Sequence, residues 1–551
     1  MSEPAGSTSE STGFVDGISG KNEFPFVEET RKVVIGTPDQ ANILDWDKNE
    51  HTLEIEEKTG LEIEWYLLPE SNYNDRVNLM FASNGQMPDA FFRTDTFNDS
   101  MMSMLGAQGQ ILPLDDLIDK WGYNVQRYFD EEPRIKQNLT AADGKIYSLP
   151  RYSKTLTNRI SQRFWVNQQF MDALNIEKLP ETTEEFFDFL VKVRDGDPNG
   201  NGLKDEVPLA AAGGGSSADG HLDGFLMQPF IYMDTHNGTT PQAKRRMYMT
   251  EEGKIAYAPA QEGYREGLRY LKRLFDEGLI TTEVFTLTGP DLRTMVENEV
   301  SLVGAVPSHN PSVFTNVSGE RKKDFVALPP LQGPDGTRQA LWEAFGGVDV
   351  GAFVIPAVSK EPDLVMKLAD YLFSEESWLR SRYGVEGRDW RKPAPGVLGW
   401  DGKQAIVEEL RVGELTWGMP QNVYLMGRHA FVGTPAHGIV DNGDPYHLEG
   451  VVWRASVPYF EVINSKNVPP LSMTNEEALE YNEIANNLHQ YVEISMAEFV
   501  TGARSLDTDW DAYVAELEKI GYNRFLELNQ AAFDRQWAGT WTWETDKSFL
   551  D

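Results

Sequence analysis

Three short β-prone segments alternate with two amphipathic segments in the N-terminal part of the chain. The β-prone segments cover residues 32–36, 61–68 and 88–92, and the helix-compatible segments cover 42–59 and 72–83. This alternation predicts an α/β fold in which helices pack on the faces of a sheet. Such sheets bind ligands at the carboxyl ends of their strands. Three polar residues that follow these strands are therefore candidate ligand-binding residues: Asp39, Arg93 and Asp95.

Strands followed by helices return in the second half of the chain. Residues 261–277 carry an apolar stripe at helical spacing, which predicts a helix. Residues 300–306 and 348–355 predict buried strands, and a helix over 359–372 follows the second of them. Two polar residues after the first of these strands join the candidates: His309 and Asn310.

The two ends of the chain differ in character. Residues 384–444 are rich in Gly, Pro, Trp and Asp, which predicts loops, and residues 475–499 and 509–533 predict two long terminal helices. The N-terminal segment is rich in Ser, Gly, Thr and Glu and offers little to bury. We expect residues 1–30 to form a flexible tether.

Composition and charge exclude several classes of function. The 551 residues are 40% hydrophobic, which is enough for two or more domains with buried cores. Lys and Arg number 50 against 86 Asp and Glu, and the net charge of −36 disfavours nucleic acid and anionic membranes as partners. The chain has no Cys, which excludes disulfides, thiolate nucleophiles and Cys-ligated metals.

The segment 197–206, DPNGNGLKDE, has the spacing of a calcium-binding loop. Oxygen-bearing side chains recur at every second position, glycines allow tight turns, and two carboxylates close the loop. The predicted metal ligands are Asp197, Asn199, Asn201, the Leu203 carbonyl, Asp205 and Glu206. An EF-hand loop has Glu as the ligand at its twelfth position, but Pro208 stands at that position here. The last ligands of this loop would therefore be Asp205 and Glu206, which come earlier than in an EF-hand. The loop supplies its own ligands, so we expect a structural Ca²⁺; a solvated Asn-Gly turn is the alternative.

Several segments together resemble extracellular solute-binding proteins of family 1, the lipoprotein receptors of carbohydrate ABC importers in Gram-positive bacteria. The matching segments are 112–118, 143–150, 164–167, 181–193, 197–209, 372–377 and 383–387. The likeness extends from about residue 31 to the C terminus, and the calcium loop is similar to that of alginate-oligosaccharide-binding members. In the family a lipidated Cys anchors the N terminus to the extracellular face of the membrane; here Met1 stands at that position.

This resemblance implies a two-lobe, periplasmic-binding-protein-like (type II) fold with a multi-strand hinge and a sugar in the cleft. Lobe 1 would comprise residues 31–155 and about 352–385, and lobe 2 would comprise 156–351 with the calcium loop. The loop-rich and helical part from about 386 to 551 would be shared between the lobes.

Sugar recognition requires aromatic rings that pack on C–H faces and polar groups that bond hydroxyls. Tryptophans in loop-like contexts supply the rings, and residues near the expected hinge supply the polar groups. The candidates chosen on these grounds are Arg151, Trp342, Glu386, Trp390 and Trp417.

The function that follows is the substrate-binding subunit of an ABC importer. It would bind an oligosaccharide without any covalent reaction, act as a monomer and present the sugar to a membrane permease. Two alternatives stay open. A secreted, Ca²⁺-stabilised glycoside hydrolase would carry two carboxylates about 5 to 10 Å apart, and a receptor of the same fold could bind a non-sugar solute such as a peptide.

Overall fold

The computed structural model describes residues 14–83, 85–92, 97–160, 162–213, 221–235, 245–316, 319–342, 348–411, 420–425, 432–433, 436–464 and 466–540. They form two lobes, each built around its own sheet and its own apolar core. The sheet of lobe 1 consists, in order across it, of Val432–Gly433 (β14), Leu149–Ser153 (β4), Val348–Val354 (β11), Ala90–Phe92 (β3), Arg31–Asp39 (β1) and Leu61–Pro69 (β2). The sheet of lobe 2 consists of Phe325–Leu328 (β10), Arg163–Asn167 (β5), Val303–Ser308 (β9) and Val207–Leu209 (β6).

Strand β1 pairs in parallel with β2 along its whole length, from Arg31 opposite Leu61 to Asp39 opposite Pro69. From Leu61 to Trp65 in β2 every second side chain is buried, as the alternating sequence predicts; beyond Trp65 the alternation shifts, so that Leu67 is exposed and Leu68 is buried. Strand β3 is parallel to β1, whereas β11 runs antiparallel to both β3 and β4. The predicted α/β sheet is therefore confirmed, with antiparallel strands added on one side.

Eight helices in the described part of lobe 1 pack around this sheet or against its loops. They are Glu50–Thr59 (α1), Tyr73–Ser83 (α2), Asp99–Ala107 (α3), Asp115–Trp121 (α4), Asn124–Glu131 (α5), Pro133–Leu139 (α6), Pro362–Leu372 (α13) and Glu375–Tyr383 (α14). Helix α1 begins later than its pattern predicts, because the Asn49 side chain accepts a hydrogen bond from the His51 N–H and caps the helix there.

The helices of lobe 2 include the longest of the described chain. They are Gln168–Ala173 (α7), Thr183–Gly196 (α8), Asp223–Leu226 (α9), Glu262–Asp276 (α10), Gly289–Val296 (α11), Pro311–Phe314 (α12), Leu448–Glu461 (α15), Asn475–Thr501 (α16), Trp510–Ile520 (α17) and Tyr522–Gln536 (α18). Two hairpins complete the fold, Met247–Met249 (β7) with Ile255–Tyr257 (β8) and Trp390–Arg391 (β12) with Glu408–Glu409 (β13). No helix among these described residues is long and apolar enough to cross a membrane.

Two expectations about the ends of the chain are wrong. The helix predicted over 509–533 is broken at Gly521, whose φ of 112° ends α17 and starts α18. Residues within the predicted tether also pack on lobe 1: Phe26 and Val27 are buried, and Lys367 donates hydrogen bonds to Ser19. The tether is predicted from a composition poor in apolar residues, and this average does not reveal that a few apolar residues anchor the segment.

Candidate functional site

In each sheet, the edge formed by the ends of the strands faces the junction of the lobes. The chain leaves lobe 1 after β4, enters lobe 2 at β5, leaves it after β10 and returns at β11. Because β11 is antiparallel to β3 and β4, the carboxyl ends of β1, β3 and β4 lie at this edge. The same reasoning places the carboxyl end of β9 at the facing edge of lobe 2. The space between these edges is the candidate binding cleft.

On the lobe 1 side, polar residues occupy this edge. Arg151 of β4 and Asp349 of β11 form a half-exposed ion pair, with 3.7 Å between Nε and Oδ2. Asp39 is exposed at the end of β1. The next residue, Gln40, is buried, and its Oε1 has no hydrogen-bond partner among the described residues. No pattern in the sequence singles out Gln40, and a buried acceptor without a partner is uncommon.

On the lobe 2 side, a buried arginine organises the edge. Arg163, the first residue of β5, donates to the carbonyls of Thr157, Ile160 and His309 at 2.7, 3.1 and 2.9 Å. Its Nε and Nη2 also donate to Ser456 Oγ of α15, at 3.2 and 2.6 Å. Burial lowers the pKa of Arg163 to about 10, so its side chain stays charged at neutral pH. Arg163 thus connects residues 157–160, which lead from β4 to β5, with the end of β9 and with α15.

Other predicted ligand residues are used for local structure. Asn310 caps α12, since its Oδ1 accepts the Ser312 N–H at 2.9 Å. Trp390 is 3% exposed, and its indole N–H donates to the Gly384 carbonyl at 3.1 Å. Glu386 is exposed nearby. The ligand-binding roles of these residues and of His309 stay predictions, and Arg93, Asp95 and Trp417 lie outside the described residues.

Aromatic side chains form a continuous row at the hinge. Trp342 is 3% exposed, with the Arg159 guanidinium 5.7 Å from its ring centroid and Phe460 edge-on at 6.1 Å. Phe460 in turn lies 5.5 Å from Trp453 of α15, which stacks on His437 at 5.1 Å. Burial lowers the pKa of His437, which keeps its ring neutral at neutral pH.

Within this row, Trp453 is partly exposed and packs against the cores of both lobes. The sequence does not reveal that Trp453 lies between the lobes, because an aromatic residue in a helix is usually part of a single core.

The lobes also touch directly along one flank. Ser103 of α3 donates to the Met473 carbonyl at 3.5 Å, and Gln137 of α6 donates to Thr540 Oγ1 at 2.8 Å. Near the first of these contacts, burial raises the pKa of the Asp99 carboxyl to about 6, although Arg245 of lobe 2 opposes the shift. These hydrogen bonds join the two lobes directly.

The predicted calcium loop follows α8 and is closed by its own side chains. Asp197 accepts the N–H groups of Asn201 and Gly202 at 3.1 and 3.0 Å. The side-chain amides of Asn199 and Asn201 donate to Asp205 Oδ1, at 3.0 and 3.2 Å. Positive φ angles at Gly200 and Gly202, 71° and 77°, allow the chain to turn between these groups.

Glu206 closes the loop in an unusual way. Both of its carboxylate oxygens are buried, and neither has a hydrogen-bond partner among the described residues. A buried carboxylate without a partner is costly, and a cation is the partner that would satisfy it. In the described part of the chain, no three His, Cys, Asp or Glu side chains are gathered closely enough to hold a metal ion. The residues therefore fit a cation in type and burial, and they would have to converge to bind it.

Comparisons with known proteins agree with this architecture. A family model described as bacterial extracellular solute-binding protein matches residues 50–377. The chain is 26% identical over 499 residues to the fructooligosaccharide ABC transporter substrate-binding protein FusA of Streptococcus pneumoniae serotype 4, covering 89% of this chain and 88% of FusA. It is 24% identical over 396 residues to lipoprotein LipO of Bacillus subtilis, covering 69% of this chain and 72% of LipO.

Solved structures share the fold over 92% of this chain and 99% of each neighbour. S. pneumoniae FusA in complex with kestose superposes with a TM-score of 0.73 at 23% identity. An "EF-hand mutant" of FusA in complex with fructo-nystose gives 0.72 at 22% identity. The "HMO binding" solute-binding protein of Bifidobacterium longum infantis gives 0.76 at 19% identity.

Proposed function

This chain belongs to the family of bacterial extracellular solute-binding proteins, and from that premise we propose that it captures an oligosaccharide between its lobes and delivers it to the permease of an ABC importer. The observation that carries the proposal is the likeness to FusA, which covers nearly nine tenths of both chains and both lobes. The cleft adds groups of the required chemistry, with an aromatic row at the hinge and polar side chains at both sheet edges.

Capture requires binding and closure and no covalent step. Trp453 offers a partly exposed ring on which a pyranose or furanose face can pack. The Arg151–Asp349 pair and Gln40 offer donors and acceptors for hydroxyls from lobe 1. A ligand that touches both edges binds the closed form more tightly than the open form, so it shifts the population towards closure. The permease then receives the closed, loaded form.

Titration calorimetry with kestose, alginate trisaccharide and a tripeptide tests the substrate class. Saturable binding of a sugar, with the sugar recovered intact and no new reducing ends, supports a receptor. Release of new reducing ends would instead favour the hydrolase alternative, and binding of the peptide alone would favour a receptor for peptides.

The loop 197–206 is proposed to hold a structural Ca²⁺. Asp197, Asn199, Asn201, the Leu203 carbonyl, Asp205 and Glu206 would be its ligands. Bound there, the ion would neutralise the carboxylates and fix the turn between α8 and β6. The buried, unpartnered Glu206 carboxylate supports this assignment, and the existence of an "EF-hand mutant" of the relative FusA is consistent with it.

The site of action is proposed to be the extracellular face of the membrane, where a lipid anchor would hold the protein as a monomer beside its permease. The relative LipO, named a lipoprotein, supports this placement.

A further inference from the structure

A groove of about 410 Å³ runs along β10, the edge strand of the lobe 2 sheet, between β10 and α15. Its lining is mainly apolar and includes Trp165, Leu179, Phe325, Leu328, Val451 and Pro458. The groove follows the length of β10, whereas the proposed sugar cleft lies across the ends of the strands. One end of the groove, at Ser312 and Pro329, follows the carboxyl ends of β9 and β10 and approaches the proposed cleft, and the groove volume is in the range of small-molecule sites.

Polar groups at this groove lack the partners that such groups usually have. Ser312 Oγ is buried, lines the groove and has no hydrogen-bond partner within the described residues. Arg454 donates to the Pro445 carbonyl and lies 5.3 Å from the Trp400 ring centroid. No carboxylate of the described chain pairs with Arg454, although acidic residues far outnumber basic ones.

Two lysines add to the positive charge. Lys322 and Lys323 line the same groove, and Lys323 lies 5.2 Å from the ring centroid of Tyr446. Lys323 is paired with Glu320 at 2.5 Å, but that carboxylate is 82% exposed, so the pair is weak and can be replaced. An apolar groove with cationic side chains offers charge complementarity to apolar molecules that carry an acidic group, although Glu320 and Asp444 partly offset the charge of Lys323.

We propose that this groove is a second ligand site, for a small organic anion with an apolar body. Its acidic group pairs with Arg454 and Lys323, its body lies against β10 and α15, and a polar atom of the ligand satisfies Ser312 Oγ. Since Trp453 of α15 packs against the cores of both lobes, a ligand held there contacts a helix that touches both lobes.

The test uses 8-anilino-1-naphthalenesulfonate as the anionic probe and N-phenyl-1-naphthylamine as its neutral counterpart, both followed by fluorescence with the full chain. We expect saturable one-site binding of the anion. Ala327→Trp places an indole in the groove and should abolish it. Arg454→Gln should weaken the anion about tenfold, as expected for the loss of one charge-assisted contact, and leave the neutral probe unchanged.

Leu479→Trp is the matched control, because it adds the same ring at a side chain that is 76% exposed on α16. It should leave probe binding unchanged. Circular dichroism and melting establish that each variant folds, and if Ala327→Trp does not fold, Arg454→Gln decides. Equal loss of both probes in Arg454→Gln, unchanged binding in a folded Ala327→Trp, or displacement of the anion by saturating kestose would overturn the second site.

Discussion

Gln137 of lobe 1 and Gln536 of lobe 2 bond each other reciprocally: each side-chain amide donates to the other's backbone carbonyl, at 2.8 and 3.1 Å. Gln536 Oε1 in turn accepts the Ser472 N–H at 2.8 Å, which holds the end of α18 in place. Hydrogen bonds between lobes exist only while the lobes touch. Because the pair joins the two lobes, we expect it to stabilise the closed state relative to the open one.

Replacing Gln137 with Ala should shift the protein towards the open state and weaken kestose binding. The hydrogen bonds that the Gln137 side chain donates to the Gln536 carbonyl and to Thr540 Oγ1 are lost, at about 1 kcal/mol each, whereas the Gln137 backbone carbonyl can still accept from Gln536. The loss corresponds to roughly tenfold or more in affinity if closure limits affinity. Small-angle scattering should show a larger radius of gyration, and calorimetry should show the weaker binding. Gln126→Ala is the control, because within the described residues the Gln126 side chain bonds only to Asp130 on its own helix. Unchanged scattering and affinity for Gln137→Ala would show that the pair does not control closure.

Local patterns predicted the elements well where one face is buried. The alternation in β2 and the apolar stripe in α10 both appear as expected, because each element has one side against a core. The register that brings β1, β3, β4 and β9 to one junction depends on pairings between distant residues, which no local pattern contains. For the same reason, Gln40 and Trp453 could not be proposed as cleft residues from the sequence, whereas a calcium loop could be proposed, since its candidate ligands are contiguous.

The double variant Asp197→Ala with Asp205→Ala should lose any stabilisation by calcium. If the loop binds Ca²⁺, the wild type melts at a higher temperature with CaCl₂ than with EDTA, because a ligand that binds only the folded state stabilises it. The double variant should melt at the same lower temperature in both, while its kestose affinity stays within a few-fold of the wild type. Asp441→Ala, in another exposed Asx turn, is the control and should keep the calcium response.

Glu206→Gln should have opposite effects with and without calcium. In EDTA it removes a buried carboxylate that lacks a partner, so the melting temperature should rise. With CaCl₂ it removes a ligand, so the gain from calcium should shrink. A variant less stable than the wild type in EDTA would mean that the carboxylate has a favourable partner other than a metal ion.

Trp453→Leu should weaken kestose binding by more than about 1 kcal/mol, roughly fivefold or more, because a stacking surface for the sugar is lost. Calorimetry measures the affinity, and melting separates it from a loss of stability. Tyr123→Leu, which removes an aromatic ring that is 52% exposed on lobe 1, is the matched control and should bind kestose normally. Normal affinity in Trp453→Leu would assign that ring to packing between the lobes.

Asp389 should make the protein sensitive to acid in a defined range. Burial alone would raise its pKa, but hydrogen bonds from Arg388, Val385 N–H and Arg411 outweigh burial and lower the pKa to about 2. A carboxyl group whose folded pKa is below its unfolded value stabilises the fold above the unfolded pKa and loses that effect as pH falls through the folded pKa. Between pH 4 and 2 the folded state should therefore lose about 2 kcal/mol from this group alone.

Urea unfolding of Asp389→Asn and the wild type across this range measures that contribution. The variant should be less stable than the wild type at pH 7, because the two arginines lose their shared carboxylate, and the difference should nearly vanish at pH 2. Asp47→Asn, at an exposed position without an ion pair among the described residues, should track the wild type throughout. A difference between Asp389→Asn and the wild type that is independent of pH would show that packing or hydrogen bonding, and not the charge of Asp389, stabilises this loop.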